Sequence, residues 1–286
     1  MNLNPEDYVI AIPTFKRSLL IVKNTLNVLK NRNIDKNRIH LFVANIQEES
    51  EYLKNVPKNL YGKLIVGVIG LKNQRNFITK YFPENKLIVE MDDDVKEVFK
   101  LTPDKGSTKE EIKQNHKLIP LINLDNFFKD AFYRILQHDT SLKDTKYNWI
   151  QNGGVNKQAY IWGIYPVENP FFLSNTITDD LRFLVGPMWG KINRHSSDLL
   201  LKINEKEDFE RTLRHYKKDG SVFRFNNVTI RTGYYSTAGG MQSENKDRFF
   251  ESETSSNYLV NQFPHYVTKW YKGKDKRPEV RLKDKS

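Results

Sequence analysis

A chain of 286 residues is long enough for one large domain with a sizeable core. Its formal charge of +11 favours a polyanionic partner, although a lysine-rich composition produces such an excess by itself. With no cysteine, disulfides, thiolate catalysis and cysteine-type zinc sites are excluded. The first residues lack a basic region followed by a long apolar stretch, and no apolar run is long enough to span a bilayer. The chain reads as a soluble protein of the cytoplasm, with no membrane partner.

Tyr8 to Ile12 predicts a first buried strand, stopped by Pro13. A short basic loop, Pro13-Thr14-Phe15-Lys16-Arg17-Ser18, leads into a helix from Leu19 to about Lys30, with Ser18 as N-cap and Leu19, Val22, Leu26 and Leu29 at helical spacing. A strand that passes through such a loop into a helix N-terminus suits an anion, because free N–H groups and the helix dipole point at it. Ile39 to Ala44 and Leu64 to Val68 predict two further strands, with a short helix from Gln47 to Leu53 between them. Strands alternating with helices argue for a parallel sheet with right-handed crossovers. A helix then opens at Gly70-Leu71-Lys72-Asn73-Gln74-Arg75-Asn76, with Leu71, Ile78 and Phe82 inward. Two cations near its start oppose the helix dipole, an objection that a bound phosphate removes.

Leu87-Ile88-Val89-Glu90-Met91 is a buried strand that ends in Asp92-Asp93-Asp94. In an open α/β sheet, ligands collect at the carboxyl ends of strands. Three adjacent acids repel one another, and a divalent cation would offset that repulsion. On an extended chain Asp92 and Asp94 project to the same side, so the pair presents two carboxylates to one ligand. An acidic turn after an edge strand is the plainer alternative.

Residues 101 to 117 predict a loop, and Leu121 to Gln137 an amphipathic helix. The middle of the chain is aromatic and β-prone, around Trp149 to Gly154, Tyr160 to Pro170 and Phe183 to Gly190. Such aromatics serve as core or as a platform for a sugar or base. Glu205 to Lys218 predicts a helix stopped near Gly220, with Glu207-Asp208 in its first turn. There the acids either satisfy the dipole or take a proton in a cleft. Phe223 to Thr232 is a strand candidate. A loop with Gly239-Gly240 precedes a last helix, Glu244 to Gln262, and Tyr266 to Ser286 reads as a solvated tail with eight Lys or Arg against three acids. No repeat or linker is visible, so one domain is expected, with a first part over about 1–100 and a last part over about 145–286.

Taken in order, these motifs resemble the glycosyltransferases of the GT-A fold, and within them the TET-associated or base-J-type DNA glycosyltransferases of phages and viruses. The matching stretches are Ala11 to Arg17, Gly70 to Asn76, Met91 to Asp94, Trp162-Gly163-Ile164-Tyr165-Pro166, Glu207-Asp208 and Gly239-Gly240-Met241. The resemblance implies a Rossmann-like, mostly parallel sheet flanked by helices, with a small β-rich acceptor region. It implies that Pro13, Thr14, Arg17, Asn73, Arg75, Asp92 and Asp93 hold the UDP of a UDP-sugar. Asp94 and Asp92, with His265 as a third candidate, would bind Mn²⁺ or Mg²⁺. Asp208, with Glu207 beside it, would be the general base. Trp162, Gly163, Tyr165, Trp189, Gly239 and Gly240 would contact the acceptor, a 5-hydroxymethylcytosine or 5-hydroxymethyluracil in DNA. If the protein is viral, its compartment is the host cytoplasm.

Three other readings compete with this one. A GT-A enzyme acting on a protein or glycan would need the same acids. A haloacid-dehalogenase-type phosphatase also carries Asp-x-Asp after a strand, but near the start of its fold. A non-catalytic DNA-binding protein leaves the acidic strand end unexplained.

Overall fold

A computed structural model describes residues 3–141, 158–233, 248–273 and 276–283. Strand β1 (Val9–Pro13) is apolar throughout because both of its faces are covered. Tyr8, Ile10 and Ile12 enter the main core, while Val9 and Ala11 pack on the other side with Phe42, Ile78, Phe82 and Ile88. Pro13 lies inside the strand as its last residue, one position beyond the expected end.

The single helix expected from Leu19 to Lys30 is interrupted. It consists of α1 (Ser18–Ile21), a π-helical turn (Val22–Leu26) and α2 (Asn27–Asn31). Ser18 is not the N-cap; it is the first helical residue, and its hydroxyl donates to Glu51 at 2.6 Å. The widened turn has a local consequence. Within it, the Thr25 hydroxyl donates to the Asp92 carbonyl at 2.7 Å and accepts from the Val95 amide at 3.0 Å.

Next come β2 (Ile39–Val43), α3 (Ile46–Asn55), β3 (Lys63–Val66), α4 (Leu71–Tyr81) and β4 (Leu87–Met91). The chain continues through β5 (Val95–Leu101), α5 (Lys109–Asn115), β6 (Leu118–Pro120), α6 (Leu124–Gln137) and β7 (Ile161–Ile164). It then forms β8 (Ile177–Thr178), β9 (Met188–Ile192), α7 (Glu207–Asp219), β10 (Phe223–Phe225) and β11 (Val228–Thr232). The last elements are α8 (Arg248–Gln262), β12 (Val267–Lys272) and β13 (Arg277–Leu282). Among the described residues, no helix is long and apolar enough to cross a membrane.

The large sheet has the order β3-β2-β1-β4-β9-β7-β10-β8. The run from β3 to β4 is parallel, β9 is antiparallel to both of its neighbours, β7 and β10 are parallel, and β8 is antiparallel. This mostly parallel sheet flanked by helices, with small antiparallel sheets beside it, is the α/β layout expected from the sequence.

Three segments differ from expectation. The stretch over 101–117 carries α5, because Thr108 and Glu111 form a reciprocal capping box. The strand expected over Phe223 to Thr232 divides at Asn226-Asn227 into β10 and β11, which join different sheets. The basic tail folds into the β12–β13 hairpin, held down by Val267 and Val280 against Leu259 and Phe263. Alternation puts Thr268, Trp270 and Lys272 on one face with Arg281, Glu279 and Arg277 opposite them. On that face the Arg281 guanidinium lies 5.2 Å from the centre of the Trp270 ring.

Candidate active site

From β1 the chain winds outward through β2 and β3, then returns to β4 on the other side of β1. The carboxyl ends of β1 and β4 therefore flank a topological switch point, where open α/β sheets leave a crevice. The three aspartates lie there. They do not continue an extended strand, because Asp93 and Asp94 form the turn between β4 and β5.

Asp93 points back to the β1 loop. It accepts from the Thr14 hydroxyl at 2.7 Å and from Arg17 Nη1 at 2.8 Å. Tyr52 of α3 completes this joint, 2.5 Å from the Thr14 hydroxyl and accepting from the Arg17 amide at 3.1 Å. Thr14 and Asp93 are thus engaged with each other inside the protein, and Arg17 bridges Asp93 to Asp94, with its Nη1 3.7 Å from the Asp94 carboxylate. Asp94 is pushed up to about 7 by burial, then by Asp92 and Asp93, with Arg17 opposing. Asp92 is the more open of the three, its side chain 31% exposed. Two hard oxygen donors whose mutual repulsion favours a counter-charge fit a divalent cation.

Arg75 gathers three sequence motifs that are far apart in the chain. Its Nη1 donates to Glu90 at 3.0 Å, its Nη2 donates to Asp92 at 3.0 Å, and its Nε lies 3.1 Å from Glu207. The side chain is 2% exposed. Arg75 was expected on the nucleotide; its guanidinium is instead spent on carboxylates, so it organises the crevice from within. Glu90 also pairs with Lys191 at 2.9 Å, and these two cations hold its carboxyl below the usual range against the opposing effect of burial. A lone acid in a strand buried on both faces needs such partners. That lone acid is the one sequence signal for this network. Nothing in the sequence pattern marks Tyr52, Thr25 or Arg211.

Glu207 and Asp208 open α7 and differ in environment. Glu207 is buried and held by Arg75 and by Arg211 Nη1, 3.1 Å away. Among the described residues, only the neighbouring Phe209 amide donates a hydrogen bond to Asp208, at 2.9 Å. Burial and the Glu207 charge push it up to about 6. Gly186 sits against this pair: a Cβ there would lie 3.6 Å from the Glu207 carboxylate and 3.7 Å from that of Asp208.

The aromatic platform requires correction. Trp162 is 0% exposed, packed by Phe127, Phe128, Phe132 and Phe225, and so belongs to the core. Gly163 lies against Leu184, whose side chain a Cβ would meet at 2.8 Å; its role is close packing. Trp189 is buried under Arg211, whose guanidinium lies 4.0 Å from the ring centre. Tyr165 alone of these aromatics is half-buried, with Arg224 over its ring at 4.9 Å. Gly239 and Gly240 lie outside the described residues, as do Trp149 to Gly154. Asn73 is exposed and donates to the Ile69 carbonyl at 3.1 Å. His265 is exposed in the turn before β12, and among the described residues no three His, Asp or Glu side chains form a metal cage, so it does not join Asp92 and Asp94.

No protein-family model matches the chain, and no curated protein does. Among solved structures, that of S. aureus TarS 1–349 aligns with a TM-score of 0.45 at 13% identity, covering 78% of this chain and 59% of that one. The structure of S. aureus TarS aligns with a TM-score of 0.47 at 13% identity, over 89% of this chain and 40% of that one. TarS 1–349 in complex with UDP gives 0.44 at 14% identity, over 78% and 59%. This chain therefore spans between 40% and 59% of the length of those proteins.

Proposed function

We propose that the protein is a metal-dependent glycosyltransferase that moves a sugar from a UDP-sugar to the hydroxyl of a 5-hydroxymethylpyrimidine in DNA. The observation that carries this reading is the pairing, across Arg75, of an acid crevice at the switch point with an unlocked carboxylate at the start of α7. On this reading the chain works as one domain, and the first hundred residues bind the donor.

Asp92 and Asp94 would hold Mn²⁺ or Mg²⁺, with the remaining positions left to diphosphate and water oxygens. When bound, the ion would stabilise negative charge on the departing diphosphate. The protein supplies the rest. Arg17, set between Asp93 and Asp94, carries positive charge to the crevice. The Thr14–Asp93–Tyr52 joint fixes the β1 loop relative to the acid turn. Asp208 takes the proton from the attacking hydroxyl, which suits a carboxylate raised to about 6 because it is ionised at neutral pH yet basic enough to accept. Glu207, held by two guanidiniums, sits beside Asp208 and raises its basicity.

The outer face of the β12–β13 hairpin supports a nucleic-acid acceptor. It places Lys272, Arg277 and Arg281 around Trp270, which is 37% exposed, with Glu279 opposite the ring and 3.6 Å from Arg277; the net positive face can meet phosphates and stack on a base. A target base inside a duplex would have to be flipped out to reach the crevice. The test is mass spectrometry of nucleosides after incubation with hydroxymethylated DNA, Mn²⁺ and a panel of UDP-sugars. A glycosylated hydroxymethylpyrimidine is expected. Sugar transfer to protein or glycan acceptors with none to DNA would overturn the acceptor assignment while leaving the donor assignment standing.

A further inference from the structure

A cavity of about 30 Å³ lies beside the Arg75 network, lined among others by Arg75, Trp189, Lys191, Arg194, Arg211 and His215. That is room for one or two water-sized atoms. The transfer chemistry does not use it. Three donors on its lining residues are buried without a hydrogen-bond partner: Trp189 Nε1, Arg194 Nε and Arg211 Nε. They belong to three different side chains, and Trp189 and Arg211 are more than nine-tenths buried. An orphaned buried donor costs free energy, and three around one small space point to a missing acceptor.

We propose that this cavity binds a small inorganic anion of halide size. Water is the ordinary filler of polar cavities, but a water molecule must also donate. Two of the lining's side-chain acceptors are already engaged. The Asn76 amide is closed in both directions on the Leu201 backbone, at 2.9 Å each way. The Thr79 hydroxyl already donates to the Arg75 carbonyl and accepts from Lys191. Among the described residues no carboxylate lines the cavity. A halide only accepts, and so matches a wall of donors.

Arg194 pairs with Asp219 at 2.6 Å, Lys191 with Glu90 and Arg211 with Glu207, and with Arg75 the cations still outnumber these three carboxylates. Lys191 and Arg211 are held below their usual ranges by burial and, despite their carboxylate partners, by neighbouring cations. His215 is pushed down to about 4, with burial first and Arg194 and Lys191 contributing. A bound anion would relieve that repulsion and brace Arg75 and Arg211, the two residues that hold Glu207.

The experiment follows thermal unfolding of the full chain in halide-free buffer, titrated with sodium chloride, bromide or gluconate at matched ionic strength. Chloride and bromide are expected to raise the unfolding temperature saturably, and gluconate to leave it unchanged. Trp189→Phe, which removes the indole N–H and keeps an aromatic ring, is expected to weaken the halide response roughly tenfold. Crystals soaked in bromide are expected to show an anomalous peak between Trp189 and Arg194. Superimposable melting in all three salts, a full halide response in the Phe variant, or a bromide map without a peak there would each overturn the proposal.

Discussion

Asp208→Asn keeps the shape of the first turn of α7 and removes the one carboxylate there that no guanidinium grips. Transfer should fall by about a hundred- to ten-thousand-fold while UDP binding holds, a split read by comparing turnover with donor titration. The pH profile is a second reading of the same residue. A raised carboxylate is protonated below its pKa, so the base form is present above about 6 and is lost as the pH falls through it. Turnover of the wild type should therefore rise through pH 6, and the Asn variant should lack that limb. An unchanged profile in the variant would remove Asp208 from the chemistry. At this scale the acids themselves were legible, because three adjacent aspartates after an apolar strand need a counter-charge. Their division of labour was not legible. Asp93 is consumed by Thr14 and Arg17, and Glu207 by Arg75 and Arg211, through partners that are mostly remote in the chain.

Elements were legible where periodicity was strong and burial uniform. β1, β2, β4 and α7 lie within a few residues of their expected bounds, since hydrophobic pattern alone specifies them. The π-helical turn over Val22–Leu26 was invisible, because its apolar spacing barely differs from that of an α-helix and the bond from Thr25 to Asp92 that goes with it is tertiary. The burial of Trp162 was hidden for a related reason: composition does not say that both faces of β7 are covered. Its ring fills the core against four phenylalanines, so Trp162→Ala should cost about 3–5 kcal/mol of stability, measured by denaturant unfolding. A variant of wild-type stability that lost only acceptor binding would restore the platform reading. The hairpin makes the opposite case. Charge reversal at Lys272 and Arg281, both on its outer face, should leave melting unchanged and weaken binding to DNA. The salt slope of log affinity should shrink by roughly one for each phosphate that is no longer neutralised. Equal DNA affinity in wild type and double variant would release the hairpin from that role.

For the whole molecule, the parallel run β3-β2-β1-β4 fixes where chemistry can sit, because it makes a crevice at the β1 and β4 ends and nowhere else along that run. The charge of +11 is unevenly placed: Asp92, Asp93 and Asp94 lie at the crevice with Glu90, Glu207 and Asp208 beside them, while part of the basic excess lies on the hairpin. On the proposed reading, a donor drawn by a cation to the first and a polyanionic acceptor drawn to the second would not compete for one surface. The most direct measurement is calorimetric titration of UDP into wild type and Asp94→Asn, each with and without Mn²⁺. The expected result is binding by the wild type that depends on Mn²⁺ and is abolished in the variant. Equal UDP affinity in all four experiments, or no binding by the wild type with Mn²⁺ present, would contradict the assignment of the crevice as a cation-assisted diphosphate site.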